Sequence, residues 1–288
     1  MPSTPRSPHE LVDFADPPVA EVALSVQFAR PVISLPVLAA VARAVAKEYP
    51  SISHQPPLMP MDERFDVAPA PQTFEINVEP QVMLPRTMLV NSSGGRLLQL
   101  QGDRFALNWR RMRENDSYPR YDTLRAEFLR QLDVLLAAVK DGAGEQAEIA
   151  LVEVSYFNPI RVSTKARTSQ HADLARVINR IKPRPRDAFL PPPEDAQYAA
   201  RWRIVPADPE EDRPVGRLYL SASPGVQQAD LIPMYLVNLA ARVIPGDTES
   251  STSALGALDL AHRWVVLGFE DVTTPAMHDL WQHEAVRG

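Results

Sequence analysis

Val19-Ala20-Glu21-Val22-Ala23-Leu24-Ser25-Val26-Gln27-Phe28 alternates apolar and polar side chains. Val22, Leu24, Val26 and Phe28 fall on one side; Glu21, Ser25 and Gln27 fall on the other. That period of two marks a half-buried strand. Its core is echoed further along the chain: Ala20-Glu21-Val22-Ala23-Leu24 by Val152-Glu153-Val154-Ser155-Tyr156. Two more stretches follow suit. Arg96-Leu97-Leu98-Gln99-Leu100 is echoed by Arg217-Leu218-Tyr219-Leu220-Ser221, and Phe105-Ala106-Leu107-Asn108 by Tyr235-Leu236-Val237-Asn238, each of the last pair leading into a long amphipathic helix. The expected fold is α+β, an internal duplication of a β-α-β-β-β(β)-α unit over residues 18–145 and 146–288. The antiparallel sheets should be covered by helices on one face, and the second unit should close with a C-terminal helix.

Working outward, residues 1–17 read as a loose, polar, proline-rich arm. Leu35–Tyr49 reads as a helix with Ser34 as N-cap and Pro36 tolerated in the first turn. Pro50–Pro71 reads as a long proline-rich loop, a length that in compact domains is often functional. Strands are expected at Thr73–Val78, Arg86–Val90, Arg96–Gln101 and Phe105–Met112, with Gly94-Gly95 and Gly102-Asp103 as tight turns. Asp122 is placed to cap a helix Thr123–Lys140 carrying Leu124, Phe128, Leu135 and Val139 on one stripe. In the second unit, strands are expected at Ile149–Phe157, Tyr198–Val205, Arg217–Ser221 and Met234–Val243. A short basic helix is expected near Ala172–Ile181, a proline-rich loop over 182–195, a helix Ala254–Phe269, and a last helix opened by Thr274-Pro275.

The chain has no cysteine, which removes disulfides, thiolate metal sites and cysteine nucleophiles. Proline is the compositional outlier, at 29 of 288 residues, about twice its usual ~5% share. No secretory leader or membrane span is legible, so a cytoplasmic location away from membranes is expected. The net charge of −6 argues against a general nucleic-acid coat, although it averages over patches.

No catalytic signature stands out. Gly142-Ala143-Gly144-Glu145-Gln146-Ala147 matches a dinucleotide-binding string, but it follows a helix and precedes a strand, the reverse of what phosphate binding needs. His278 and His283 lie five apart, not at the spacing of a helical zinc pair. Asp259 and His262 share a helix face and suit a surface pair or a core-edge hydrogen bond better than a metal or a base. No metal or cofactor is therefore expected, and the balance leans away from an enzyme.

What remains is a polar sheet face. Glu21 and Glu153 occupy equivalent places opposite the apolar stripe, and paired carboxylates could do acid–base work if a dyad brought them together; solvated positions on a wet face are the commoner outcome. Asn108 and Asn238 are similarly matched, and share that face with Arg110, Glu75, Asn77 and Gln99. With Trp109 these give the candidate ligand or partner residues: Glu21, Asn108, Trp109, Arg110, Glu153 and Asn238. Two basic patches, 96–121 and 161–186, mix arginines with aromatics as phosphate and base contacts require. In the second, the candidate nucleic-acid contacts are Arg176, Arg180, Lys182, Arg184 and Arg186.

Several strings together carry a resemblance: Pro17-Pro18-Val19-Ala20-Glu21-Val22, Gln55-Pro56-Pro57-Leu58, the run from Arg96 to Arg110, Tyr118-Pro119-Arg120-Tyr121, the run from Ala257 to Trp264, and Thr273–Trp281. Nearly the whole chain resembles a sporadically distributed family of bacterial and archaeal proteins of about this length. That family offers no catalytic residues to carry over. Its distribution implies mobile genes such as antitoxin or defence cassettes. The order of elements resembles TATA-binding-protein-like folds, a likeness that does not assign function. The expected function is a non-catalytic interaction protein, antitoxin-like or an accessory subunit, whose partner is another protein or a second copy of the chain. Nucleic-acid binding through the basic patches is the alternative. A small-molecule binder or enzyme with a pocket between the halves is the third.

Overall fold

The computed structural model describes residues 11–65, 84–143, 147–161, 173–181, 189–191, 193–205, 213–227, 231–247 and 251–284. The expected strand at Thr73–Val78, with Glu75 and Asn77, lies outside them. The fold is α+β, with one large antiparallel sheet and a few helices. Its strands and helices run β1 (Asp13–Phe14), β2 (Glu21–Phe28), α1 (Leu35–Ala44), β3 (Ser51–Gln55), β4 (Arg86–Val90), β5 (Arg96–Gln101), β6 (Arg104–Arg110) and α2 (Tyr121–Ala143). There follow β7 (Ile149–Arg161), α3 (Leu174–Val177), β8 (Tyr198–Ile204), β9 (Gly216–Val226), β10 (Pro233–Val243), α4 (Ser251–Val272), α5 (Pro275–Leu280) and β11 (His283–Glu284).

Nine strands form a sheet in the order β3-β4-β5-β6-β2-β7-β10-β9-β8. Strands from the first part of the chain fill one side, strands from the second part fill the other, and β2 pairs with β7 between them. α2 packs on β2 and β6, α4 packs on β7, β10 and β9, and α1 lies against α2. The alternation of β2 explains this layering. Val22, Leu24 and Val26 are buried under the helices with Leu98, Phe105, Leu107, Val152 and Val154. Leu124, Phe128, Leu132, Leu135 and Val139 of α2 meet them from above, recurring every three or four residues on one helix face. No helix among the described residues is long and apolar enough to cross a membrane.

Several local expectations are corrected. Part of the loop expected over Pro50–Pro71 is the edge strand β3, paired with β4 from Ser51↔Val90 to Gln55↔Arg86; all five of its residues are exposed, so no burial pattern marks it. The arm expected to be loose over 1–17 is tied down where it is described. β1 pairs with β11, and the Phe14 ring packs edge-on against Phe269 and Trp281. β7 runs four residues past Phe157, through Pro159. The Phe157 carbonyl accepts from Ala20 N–H, so Pro159, two residues on, turns its missing N–H to the same side, where β2 has already ended. The proline therefore removes no ladder hydrogen bond. α2 begins at Tyr121, which puts Asp122 inside the first turn rather than at the cap.

Candidate functional site

The face of the sheet away from the helices is polar, as the alternation requires, and register arranges it in rows. One row crosses Arg110, Glu21, Phe157, Asn238 and Ser221; the next crosses Leu97, Asn108, Ala23, Ser155, Ala240 and Tyr219; a third crosses Gln99, Ala106, Ser25, Glu153, Arg242 and Arg217. Glu21, Asn108 and Asn238 come together around an open cavity of about 340 Å³, with Ser155, Phe157 and Ser221 completing its floor.

A relay of side chains converges on Glu21. Arg86 Nη1 donates to Gln99 Oε1 (2.9 Å), Gln99 Nε2 to Asn108 Oδ1 (2.6 Å), and Asn108 Nδ2 to Glu21 Oε1 (2.7 Å). Each amide is held in one orientation by its neighbour, so the carboxylate at the end of the chain is positioned by three other strands. Asn238 makes no side-chain hydrogen bond to a described residue, which leaves its amide available to whatever enters.

The other predicted residues are distributed differently. Glu153 is on the same face but two rows away from Glu21, about 13 Å along the strands, so the two carboxylates form no acid–base pair. Arg242, directly opposite, donates to Glu153 Oε2 at 2.6 Å. Arg110 lies opposite Glu21 yet sends its Nε to the Gly94 carbonyl (2.8 Å). Trp109 is not on this face at all: its side chain is buried on the helix side against Tyr118. Adjacent residues of a strand point oppositely, so Asn108 and Trp109 could not both belong to the site. Asn108 faces Ala23, two residues beyond Glu21, whereas Ala240 faces Ser155, two beyond Glu153. On β10, Ala240 shares the row of Asn108, and Asn238 is one row over.

Sequence reasoning missed what covers the other part of the face. Residues 58–65 lie across the sheet as an extended segment. Gln101 clamps Leu58, its Oε1 accepting from the backbone N–H and its Nε2 donating to the carbonyl, both at 2.7 Å. Gln27 does the same to Met61, at 2.7 and 2.8 Å. Arg104 donates to Gln27 Oε1 and to the Met59 carbonyl. At the far end the Glu63 side chain is 1% exposed and takes contacts from Arg217 and Tyr219, with Arg242 at 3.6 Å. Burial first, then the bond to Glu63, pushes the Tyr219 phenol above its ordinary range. The Arg217 guanidinium also sits 4.5 Å from the Phe65 ring centroid. The polar side of β2 and β5 could have suggested Gln27 and Gln101; nothing local marks Glu63.

The described arginines of the basic patches are largely committed. Arg96 pairs with Glu127 (2.9 Å), Arg120 with Asp13 (2.5 Å), Arg176 with Asp173 (3.3 Å), and Arg180 with Asp271. Lys182, Arg184 and Arg186 lie outside the described residues. The Asp259–His262 pair resolves into separate contacts: Asp259 takes Arg125 and Tyr121, while His262 stacks on the Tyr121 ring at 3.6 Å. Among the described residues no three His, Asp or Glu side chains are grouped to hold a metal. Compared with protein-family models, curated proteins and solved structures, the chain matches none.

Proposed function

We propose that this chain is an interaction protein whose open sheet face holds an extended polypeptide segment of a partner protein. The observation that carries the reading is the paired grip of Gln27 on Met61 and of Gln101 on Leu58. In each, a side-chain amide satisfies both backbone groups of one residue of an extended segment. Such recognition depends on backbone rather than on sequence, and it works on any chain laid over the same face. Beside those rows, the Glu21–Asn108–Asn238 cavity presents side-chain amides of the same kind. Its single carboxylate, which pairs with no cation among the described residues, favours a segment with a Lys or Arg over Glu21. Phe157 and Leu236 favour an apolar residue next to it.

The two halves are read as copies of one unit. Outward from the centre the order is first strand, last, then next-to-last in both, and the pairs Glu21–Arg110 and Glu153–Arg242 stand at matching register positions. On this reading the copies share segment 58–65, gripped by Gln27 and Gln101 of one and by Arg217 and Tyr219 of the other, and the Glu21–Asn108–Asn238 rows of both remain for a partner. An accessory or antitoxin-like subunit is the kind of protein this describes. The nucleic-acid alternative loses support from the ion pairs that occupy Arg96, Arg176 and Arg180.

Selection of a displayed random peptide library on the purified protein tests the proposal. Enriched peptides should carry a basic residue beside an apolar one. Their binding should be lost in Glu21→Lys and in Asn238→Trp, whose half-buried side chains line the cavity, and Asn238→Trp, which breaks no described side-chain hydrogen bond, should leave the thermal midpoint within a few degrees. Peptides that bind both variants as well as the parent protein would overturn it.

A further inference from the structure

On the other face of β7, a second and more enclosed cavity of about 310 Å³ lies beneath the N-terminal strand, between the start of α2 and the middle of α4. Neighbouring residues of β7 divide the two sites: Ser155 and Phe157 face the open sheet, whereas Tyr156 and Asn158 face this pocket. The walls are apolar, from Phe14, Val19, Val265 and Phe269 among others. Four polar side chains converge on this interior. The Tyr118 and Tyr156 hydroxyls lie 2.7 Å apart, and since one proton bridges the two oxygens, the other is left to donate elsewhere. Asn158, 4% exposed, spends its amide N–H groups on the Tyr156 and Val237 carbonyls (3.3 Å each), which leaves Oδ1 as an acceptor. Neither ring nitrogen of His262 is hydrogen-bonded to a described residue, although its ring is fixed by the Tyr121 stack.

The charged groups at the rim are arranged to close it. Arg120 is held at φ 68°, a left-handed conformation that is costly for a residue with a Cβ. In that conformation its guanidinium reaches Asp13 (2.5 Å) and the Phe14 carbonyl (3.2 Å), tying β1 over the opening. Local strain placed where it clamps one segment over a cavity is the pattern found at ligand sites. The volume is at the lower end of the range for small-molecule pockets, and the mix of apolar walls with a few convergent polar groups is their usual composition.

From these features we infer that the pocket is a binding site for a small, uncharged, hydroxylated aromatic molecule, its ring among Phe14, Tyr156 and Phe269 and its hydroxyl between the tyrosine pair and Asn158. A hydroxyl both accepts from the free tyrosine proton and donates to Asn158 Oδ1, which a ketone or a hydrocarbon cannot do. A charged ligand is disfavoured because the charged residues of the lining are the mutually paired Asp13 and Arg120 and the exposed Asp122. The burial that lowers the His262 pKa to about 4 agrees, as it keeps the imidazole neutral at ordinary pH. The inference does not depend on the sheet-face proposal, since the two sites are on opposite sides of β7.

Titration calorimetry of the full chain with 2-naphthol, and with naphthalene as the hydroxyl-free comparison, tests it. Saturable binding of 2-naphthol is expected, at least tenfold tighter than naphthalene. Tyr156→Phe and Tyr118→Phe should each weaken 2-naphthol about tenfold, the equivalent of one hydrogen bond, and leave naphthalene unchanged. Val266→Trp, which fills the cavity, should abolish both; if that variant does not fold, the tyrosine variants carry the test. Absence of saturable binding, equal affinity for the two probes, or 2-naphthol binding untouched by both tyrosine variants overturns the assignment.

Discussion

Arg242 and Glu153 stand directly opposite each other on β10 and β7, Nε to Oε2 at 2.6 Å, and the same guanidinium lies 3.6 Å from Glu63 of the segment that crosses the sheet. One arginine thus joins the floor of the open face to its cover. Arg110 stands opposite Glu21 but turns to the Gly94 carbonyl.

Glu63→Ala should release the cover. The substitution leaves the Arg217 side chain (11% exposed) without its carboxylate partner and Arg242 with Glu153 alone, and breaking a buried pair by removing one member costs about 3–5 kcal/mol. Much of this is expected locally. Limited proteolysis should cut within residues 56–65 at least tenfold faster than in the parent protein, while the amides of β2 and β7 keep their hydrogen-exchange protection.

His262 should make stability depend on pH. Burial lowers its pKa from 6.5 to about 4. Between those values the unfolded chain binds a proton that the folded chain does not, so stability is full above pH 6.5 and falls as pH drops toward 4. The upper bound is about 3 kcal/mol. Urea unfolding of the parent protein and of His262→Phe, which retains the stack on Tyr121, should show this slope in the first and a flatter profile in the second.

Asp259 ties α4 to α2 through Arg125, Nε to Oδ1 at 2.6 Å and Nη2 to Oδ2 at 2.8 Å, with the Tyr121 hydroxyl on Oδ1 at 2.8 Å. Burial works to raise the carboxyl pKa, but the bonds from Arg125 and Tyr121 outweigh it and hold it below the usual range. The stabilisation is therefore present above the unfolded pKa of about 3.9 and is lost as pH falls through the lower folded value. Both partners are partly exposed, which limits the effect. Asp259→Asn should cost about 1 kcal/mol at pH 7, and this difference from the parent should shrink toward pH 2, as chemical denaturation would measure.

Two glycines should not tolerate a methyl group. A Cβ on Gly216 would lie 2.1 Å from the Arg242 carbonyl oxygen, and one on Gly268 would lie 2.5 Å from Leu218 Cδ2. The first clash is with the backbone of a paired strand, the second with the end of a side chain that can turn. Gly216→Ala should therefore lower the thermal midpoint more than Gly268→Ala, whose overpacking cost of about 1–3 kcal/mol is offset in part by the helix propensity of alanine. Calorimetric scans of both variants rank them.

What the sequence determined by itself is whatever repeats locally. Alternation along Glu21–Phe28 decides which residues turn toward the helices, and the spacing of Leu124, Phe128, Leu135 and Val139 decides which stripe of α2 meets them, because strand and helix periods act over a few residues. The polar identity of Glu21, Asn108 and Asn238 followed from the same periods. Tertiary structure decided the rest. Alternation puts Trp109 on the opposite face from Asn108, but strand pairing decides that Ala240 rather than Asn238 shares the row of Asn108, and that Glu153 meets Arg242 rather than Glu21. The burial of Glu63 depends on Arg217 and Tyr219, more than 150 residues away. The pocket of Tyr118, Tyr156, Asn158 and His262 exists only once β7 and both long helices are assembled, since no two of its walls come from one continuous stretch. Local periodicity sets direction; register and long-range packing set company, and the chemistry of both sites depends on company.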